Sequence, residues 1–202
     1  MQVDLKRVAH AAEHLDRHAG HLVGGLRSHV LCQRRQKADA CVVCLPIRFH
    51  LGPLPIGRVA RAFDTTLAVS LPEILGGRAG LIPGIAEVRG QGDDWGTVGA
   101  TRTIVLRDRS SSHETLTSVD RPGSFTYRVT GFTGPMKALV ETVDGRWTFE
   151  KAGTGVRVTW SWDLHPASRV TAPVIPVVLR SWRGWARDAL DALEPLLVAP
   201  TE

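Results

Sequence analysis

Residues 146–166 read RWTFEKAGTGVRVTWSWDLHP. This stretch holds large aromatic side chains in two pairs whose members are two positions apart: Trp147 with Phe149, and Trp160 with Trp162. A period of two places each pair on one face of a β-strand. Residues 152–155, Ala-Gly-Thr-Gly, are typical of a hairpin loop. We therefore predict two antiparallel strands that share one dry, unusually aromatic face.

The register of this hairpin follows from the loop, because a loop over residues 152–155 sets Trp147 opposite Trp160. The other face then carries arginine, threonine, glutamate, serine and aspartate side chains, so the sheet has one wet and one dry face. Two interpretations of the dry face stay open. The tryptophans line a cavity for flat aromatic ligands, or they pack as core against Trp182 and Trp185 of a C-terminal helix.

The composition restricts the class of protein. The chain has 202 residues, of which 43% are hydrophobic and 22% charged, and its formal net charge is +5. No run approaches the roughly 18–20 apolar residues of a membrane helix, and the first ten residues, MQVDLKRVAH, show no apolar core of a secretory signal. The arginines are scattered rather than gathered in a basic stripe, which argues against a nucleic-acid partner. We expect a cytoplasmic protein without stable membrane insertion.

The composition changes near residue 45. All three cysteines and five of the eight histidines precede it, whereas all six tryptophans follow it. β-Periodicity is clear from residue 45 onward and absent before it. We expect residues 1–44 to be an N-terminal extension, poorly ordered or with a loose helix near residues 4–19, and residues 45–202 to be the domain. Whether the extension belongs to the functional product stays open.

Metal binding is the alternative reading of the extension. His10, His14 and His18 recur every four residues and would share a helical face, and the pair Cys41 and Cys44 has the spacing of half a zinc site. Half a site does not complete a ligand set, and Cys/His tracts are often incomplete. We therefore expect no metal centre and no cofactor.

Hydrophobic periodicity predicts the order of elements after residue 45 as one strand, two short helices, about six antiparallel strands and one long helix. The predicted strands cover 45–51, 85–89, 96–107, 113–120, 124–131, 137–151 and 156–165, and the helices cover 55–75, broken at Pro72, and 174–198. The long helix has an apolar stripe of Val178, Trp182, Trp185, Ala189, Leu193 and Leu196. One sheet and one amphipathic helix must bury each other's apolar faces.

Three segments stand out in this part of the chain: PGIAEVRGQGDDWGTVGATRTIVLRD at 83–108, with a Gly-x-x-Arg element at 99–102, HETLTSVDRPGSFTYRV at 113–129, and GTGVRVTWSWDLHP at 153–166. In this order they resemble the START-like, Bet v 1-like superfamily (SRPBCC), in its bacterial polyketide cyclase/dehydrase branch. The resemblance covers about residues 45–198.

The resemblance implies an α+β helix-grip fold, in which a curved antiparallel sheet of about seven strands wraps around the C-terminal helix and leaves a hydrophobic cavity. It also implies that the chain binds a hydrophobic or aromatic small molecule. The protein would act as a polyketide cyclase/dehydrase or, alternatively, as a non-catalytic carrier or sensor of a lipid or metabolite. Turnover, ligand identity and the choice between monomer and homodimer stay open.

Two charged residues break the apolar register of the dry face. Arg102 shares a face with Val98, Ala100, Ile104 and Leu106, and Glu114 shares one with Leu116, Phe125, Tyr127 and Val129. A five-residue loop at 107–111 would make Arg102 and Glu114 diagonal neighbours, and a buried charge needs such a partner. The pair is either a polar anchor or acid/base group for a ligand, or a fixed ion pair in the cavity wall.

The resulting candidate site has two parts. The candidate catalytic residues are Arg102, Glu114 and Tyr127, the only tyrosine. The candidate ligand-binding residues are Trp147, Phe149, Trp160, Trp162, Glu141, Trp182 and Trp185. Glu141 should lie on the same face of its strand as Val143 and Trp147, unless a bulge at residues 144–145 shifts the alternation. We place His113 on the wet face and His165 at the mouth of the cavity.

Overall fold

The computed structural model describes the backbone of residues 33–37, 40–44, 47–51 and 58–198 and the side chains of residues 59–197. Within these ranges, nine strands form one open antiparallel sheet. The strands are β1 Gln33–Lys37, β2 Ala40–Cys44, β3 Ile47–Leu51, β4 Ile85–Arg89, β5 Thr101–Leu106, β6 Ser111–Asp120, β7 Ser124–Thr130, β8 Val140–Ala152 and β9 Gly155–Pro166. The α-helices are α1 Arg58–Ala68, α2 Leu71–Leu75 and α3 Ile175–Val198.

The sheet has the order β1-β2-β9-β8-β7-β6-β5-β4, and β3 also pairs with β9. Strand β9 has room for two partners because it is long: residues 156–160 pair with β3, and Asp163 pairs with Cys44 of β2. Helix α3 packs against the apolar face of the sheet, and both contribute to one buried core. The seven strands from β3 to β9 and the long C-terminal helix confirm the helix-grip fold.

The β8–β9 hairpin has the predicted register. Trp147 pairs with Trp160, and Lys151 pairs with Val156. The turn is tighter than the predicted loop, because Ala152 still pairs with Gly155 and leaves a two-residue connection. Such turns favour glycine because they require positive φ, and Gly153 has a φ of 59°.

The helices follow the predicted spacing with two differences. Pro72 lies in the first turn of α2, where its missing N–H is not needed, so it begins the second helix rather than breaking a longer one. The apolar stripe of α3 is wrong at its end, because Leu196 is 40% exposed whereas Leu197 is 3% exposed. The next buried residue after Leu193 is therefore Leu197, four positions later, and not Leu196, three positions later.

Strand β5 begins five residues later than predicted. Gly96 and Gly99 have φ values of 119° and 93°, which extended backbone does not adopt. The chain therefore loops until residue 101, and Val98 is 57% exposed. The prediction that Val98 lies on the dry face is wrong.

The registers on either side of β6 also differ from the prediction. The β5–β6 connection is short, since the Leu106 amide donates to the Ser110 carbonyl at 2.8 Å. Arg102 is therefore directly opposite Glu114 instead of diagonal to it.

Between β6 and β7, the pairs Glu114 with Val129 and Leu116 with Tyr127 are as predicted. A register shift after Leu116 then moves the rest of the hairpin by one residue, so that Asp120, rather than the predicted Val119, pairs with Ser124.

Strands β1 and β2 lie within the segment expected to be an extension, where the sequence shows no β-periodicity. They pair with each other over Gln33–Lys37 and Ala40–Cys44, and Cys44 joins them to β9. The predicted helix near residues 4–19, with its row of histidines, lies outside the described residues. The domain boundary at residue 45 stays a prediction. Among the described helices, none is long and apolar enough to span a membrane.

Candidate ligand-binding cavity

A cavity of about 110 Å³ lies between the sheet, α3, and the α1–α2 pair. This is several times the roughly 10–15 Å³ that one water molecule requires. Most of its lining is apolar. Five of the predicted ligand-binding residues line it: Trp147, Trp160, Trp162, Trp182 and Trp185. The cavity therefore has a wall of tryptophans drawn from the decisive hairpin and from the long helix.

The tryptophan rings form a continuous series from β8 to α3. Trp147 and Trp160 are stacked with ring centroids 4.3 Å apart, and Trp162 follows Trp160 at 4.1 Å. Trp182 meets Trp162 edge-on at 5.9 Å, and Trp185 continues the series at 5.9 Å. Flat π-surfaces of this kind favour flat aromatic or polycyclic ligands.

Two predicted ligand-binding residues do not reach the cavity. Phe149 is buried, but it packs on Phe63 of α1 with ring centroids 5.5 Å apart and belongs to the core beside the cavity. Glu141 is exposed, because a register shift between Val140 and Thr142 reverses its parity. The predicted face for Glu141 is therefore wrong, and the bulge lies at Glu141 rather than at residues 144–145.

Tyr127 lies across the sheet in a gap left by a glycine. Gly145 of β8 pairs with Tyr127, and a Cβ atom on Gly145 would come within 2.1 Å of Tyr127 Cζ. The ring therefore reaches over the backbone of β8, and its hydroxyl accepts hydrogen bonds from Trp160 Nε1 at 2.8 Å and Trp162 Nε1 at 3.0 Å. Gly145 is required for this close approach.

Those two hydrogen bonds leave the Tyr127 hydroxyl group free only as a donor. A phenol oxygen has two acceptor sites and one O–H donor, and both acceptor sites face indole N–H groups. Burial, and next the charge of Glu114, raise the pKa of Tyr127. The hydroxyl group therefore keeps its proton, and since Tyr127 also lines the cavity, it can donate a hydrogen bond to a ligand, whereas transfer of that proton is disfavoured.

Arg102 and Glu114 form a buried ion pair on β5 and β6. Arg102 Nη2 is 2.8 Å from Glu114 Oε1, and the two side chains are 7% and 8% exposed. Arg102 Nη1 also donates to Gln91 Oε1 at 3.0 Å. The partnership predicted from the sequence is confirmed, and it is closer than a diagonal pair would be.

Trp95 covers the guanidinium from the β4–β5 loop. Arg102 Cζ is 3.9 Å from the centroid of the Trp95 ring, which is a cation–π contact. Trp95 Nε1 donates to the Leu67 carbonyl of α1 at 3.0 Å, so this bond holds the loop against the helix. Trp95 thus covers one face of the guanidinium at the cavity wall.

The guanidinium of Arg102 has a free donor. Its Nε is buried and has no hydrogen-bond partner. Two exposed arginines, by contrast, use both Nε and Nη2 to bind one carboxylate. Arg121 binds Asp64 in this way, and Arg128 binds Asp144. Arg102 binds Glu114 through Nη2 alone, so an oxygen atom of a ligand in the cavity could accept from Nε.

The sequence matches a protein-family model described as polyketide cyclase / dehydrase and lipid transport, over residues 59–197. The chain belongs to this family. Among curated proteins, none matches the sequence. The family assignment and the fold together place the chain in the START-like, Bet v 1-like superfamily that the sequence resembles.

Solved structures share the fold of this family member at low sequence identity. Ara h 8.0201 is 18% identical with a TM-score of 0.58, and the match covers 78% of this chain and 99% of that one. Norcoclaurine synthase from Thalictrum flavum is 11% identical with a TM-score of 0.58, covering 83% and 100%. Major latex-like protein 151 from Panax ginseng is 14% identical with a TM-score of 0.57, covering 78% and 99%. These likenesses show the fold alone.

Unpartnered polar atoms concentrate in the cavity of this polyketide cyclase/dehydrase relative. Among the described side chains, four buried nitrogen or oxygen atoms lack a hydrogen-bond partner: Thr66 Oγ1, Arg102 Nε, Trp182 Nε1 and Arg183 Nε. Three of these residues, Thr66, Arg102 and Trp182, line the cavity. Buried polar groups are normally satisfied, so these three side chains have unused hydrogen-bonding capacity at the cavity wall.

Sequence reasoning missed Thr66, Gln91 and Trp95. Thr66 lies on α1, and Gln91 and Trp95 lie in the β4–β5 loop; all are far from Arg102 in the sequence or outside any periodic element. The glycines at 90, 92, 96 and 99 mark this loop, but no local pattern predicts which side chains fold back over the cavity. Contacts of this kind depend on tertiary packing.

Two histidines of the domain were given a position in the sequence analysis, and both lie on the wet face of the sheet. His113 is exposed, as predicted, and its Nδ1 is 3.1 Å from Thr103 Oγ1. His165 Nε2 is 3.0 Å from Asp144 Oδ2, while its neighbour Leu164 points into the core. The prediction that His165 lies at the mouth of the cavity is therefore wrong. No group of three His, Cys, Asp or Glu side chains suited to a metal occurs among the described residues.

Replacing Thr66 by valine is expected to stabilise the folded protein. The Thr66 side chain is 5% exposed and its hydroxyl has no partner, whereas valine has the same shape without the unsatisfied polar atom. Thr66→Val should raise the free energy of unfolding by roughly 1 kcal/mol, as measured by urea denaturation. Thr65→Val, at the half-buried neighbouring position, is the control. A loss of stability in Thr66→Val would mean that the hydroxyl is already satisfied.

The stability of the protein is expected to depend on pH through Glu114. Burial raises the pKa of Glu114 above its ordinary value of 4.5, against the opposing attraction of Arg102. The folded protein therefore holds this proton more tightly than the unfolded chain does. The resulting stabilisation is complete below about pH 4.5 and is lost as the pH rises through the raised pKa.

Glu114→Gln should remove this decline in stability, as measured by denaturant unfolding from about pH 4 to about pH 8. Asp64→Asn is the control of opposite sign, because the hydrogen bond from Arg121 lowers the pKa of Asp64 and its contribution is lost as the pH falls. If Glu114 instead adds stability as the pH rises, its charged form is the favoured one and burial does not dominate.

Proposed function

We propose that this protein binds a flat, largely apolar small molecule that carries an oxygen acceptor. The observation that carries the proposal is the cavity itself, which combines a wall of tryptophan rings with three unpartnered buried polar side chains. An apolar cavity with a few convergent polar groups is the usual form of a small-molecule site. The aromatic wall would hold the rings of the ligand, and the polar groups would set its orientation.

The oxygen of the ligand would lie near Arg102 and Tyr127. Arg102 offers Nε and Tyr127 offers its hydroxyl hydrogen, and both residues line the cavity. Glu114 connects them, since it pairs directly with Arg102 and is diagonal to Tyr127 across the β6–β7 pairing. A carbonyl, phenolate or carboxylate oxygen fits two donors of this kind.

The first candidate activity is that of a cyclase or dehydrase acting on a polyketide-like substrate. Family membership supports it, and so does the convergence of two donors and one carboxyl group in a dry cavity. Arg102 and Tyr127 would polarise a substrate carbonyl, and Glu114, whose pKa is raised by burial, would move a proton to or from the adjacent carbon. The tryptophan wall would hold the chain in a folded conformer that favours ring closure.

The second candidate is a carrier or sensor of an aromatic metabolite or lipid without turnover. The contact between Arg102 and Glu114 favours this candidate, because a carboxyl group bound at 2.8 Å to a guanidinium is restrained from proton transfer. Incubation with a poly-β-keto thioester surrogate separates the two candidates. Cyclised product that disappears in Glu114→Gln supports the enzyme, whereas recovery of unchanged, bound surrogate supports the carrier.

Saturable binding of the dye 1-anilinonaphthalene-8-sulfonate to the native protein tests the proposed site, since the dye joins flat rings to anionic oxygens. Trp162→Ala should weaken binding by about tenfold, the value of one aromatic contact, whereas Thr159→Ala on the wet face should not. Fluorescence titration measures both, and circular dichroism checks the fold. Absence of saturable binding, or binding only to unfolded protein, would contradict the proposal.

A further inference from the structure

Exposed apolar side chains gather around the start of α3. Of the six large hydrophobic side chains that are exposed among the described residues, four lie here: Leu81, Val170, Val174 and Val177, which are 65%, 86%, 41% and 53% exposed. We call these four residues the α3-tip surface.

Helical spacing and one hydrogen bond bring three of these residues to one side of α3. Val174, Val177 and Ser181 follow the spacing of one helical face, and the Leu81 amide donates to Ser181 Oγ at 3.3 Å. Leu81 therefore lies beside Ser181, at the end of the row that begins with Val174. Val170 lies four residues before Val174 in the chain.

The charged residues close to the α3-tip surface in the sequence are all basic. Between Asp163 and Asp188 the sequence has four arginines and no carboxylate side chain, and between Glu73 and Glu87 its only charged residue is Arg78. Arg78 and Arg180, which adjoin Leu81 and Ser181 in the chain and in the helix, are exposed. An apolar centre with a basic border is complementary to a surface that is apolar within and anionic at its edge.

We propose that the α3-tip surface docks reversibly on membranes that contain anionic lipids. Valine and leucine side chains would enter the interface of the bilayer, and the arginines would pair with anionic headgroups. A second copy of the chain fits less well, because a symmetric contact would bring the same arginines together. Residues 1–32 fit less well too, since their four basic and three acidic side chains give no net negative charge.

The docking surface adjoins the cavity. Residues 76–81 connect α2 to Ile82, and both Leu75 and Ile82 line the cavity. Trp185, another lining residue, holds this connection through bonds from Nε1 to the carbonyls of Leu75 and Gly77, each at 3.2 Å. A docked membrane would thus be separated from the cavity by one short segment. The inference stands independently of which ligand the cavity binds.

Vesicle sedimentation tests the inference with the full-length protein. We expect binding to phosphatidylcholine vesicles that contain phosphatidylglycerol, weaker binding at higher salt, and little binding to phosphatidylcholine alone. Arg78→Gln and Arg180→Gln should each weaken binding by about fivefold at low salt, and Leu81→Ser with Val177→Ser should reduce it further. Val98→Ser and Arg146→Gln, which are exposed elsewhere on the protein, should bind like wild type.

Three results would overturn the inference. The first is the absence of binding that depends on phosphatidylglycerol. The second is an equal loss of binding in the control variants, which would mean that net charge alone acts. The third is a dimer in solution that the Leu81→Ser and Val177→Ser changes disperse, which would make the surface a contact between copies. The arginine variants keep the test decisive if an apolar variant fails to fold.

Discussion

Gly145→Ala is expected to lower the free energy of unfolding by roughly 2–4 kcal/mol, measured by chemical denaturation. The new Cβ atom would lie 2.1 Å from Tyr127 Cζ, so the ring must leave its place across β8. Trp160 and Trp162 would then lose the hydroxyl that accepts from both indole nitrogens. The cost combines overpacking with two buried donors left unpaired.

Repeating Gly145→Ala in a Tyr127→Ala protein shows whether the clash with Tyr127 causes the loss of stability. In a Tyr127→Ala protein the space over Gly145 is empty, so adding Gly145→Ala should cost less than about 1 kcal/mol. Thr148→Ala, on the wet face of the same strand, controls for changes to β8 itself. An equal cost of Gly145→Ala in both backgrounds would show that strand conformation, not the close approach of the ring, requires the glycine.

Breaking the Arg102–Glu114 pair is the second change with a large expected effect. Both side chains are less than one-tenth exposed, and removal of one partner from a buried pair costs roughly 3–5 kcal/mol because the other charge is stranded. Arg102→Met should show this cost near neutral pH and lose part of it at acidic pH, because the stranded carboxyl group can take up a proton. Glu114→Gln should cost little at acidic pH, because the raised pKa of Glu114 means that the wild-type carboxyl group is itself protonated there, and the guanidinium keeps its proton in both proteins.

The double variant Arg102→Met/Glu114→Gln completes the cycle. Because no unpaired charge remains, its cost should be much smaller than the sum of the single costs, as measured by urea unfolding near neutral pH. Additive costs would show that the two residues are not energetically coupled. If the pair couples but neither change alters ligand affinity or turnover, the pair is structural, and the carrier is favoured over the cyclase.

The hairpin at 146–166 shows why much of the fold could be predicted from the sequence. Alternation along an antiparallel pair depends only on neighbouring positions, so the pairing of Trp147 with Trp160 could be counted out from the loop. The same parity argument placed Arg102 and Glu114 on the buried face, since each interrupts an apolar series. Both predictions use local rules that tertiary packing reinforces.

Predictions failed where one residue changes the count or where a contact is distant in sequence. Register shifts near Thr117 and Glu141 reverse parity without a distinctive local signal, and Glu141 was assigned to the wrong face for this reason. The role of Gly145 was also missed, because the residue that needs its space, Tyr127, lies on another strand. Trp95 and Thr66 reach the cavity only through tertiary packing of a loop and a helix.

The central claim is that Arg102 Nε donates a hydrogen bond to an oxygen atom of an aromatic ligand. Its most direct test compares the affinities of 2-acetylnaphthalene, which has a carbonyl acceptor, and 2-isopropenylnaphthalene, which has nearly the same shape without one. Arg102→Lys is the matched variant, since lysine keeps the charge beside Glu114 but lacks the second donor of the fork. Wild type should bind the ketone at least about tenfold more tightly than the hydrocarbon, and Arg102→Lys should bind both alike. Equal affinities in wild type, or the same preference in Arg102→Lys, would contradict the claim.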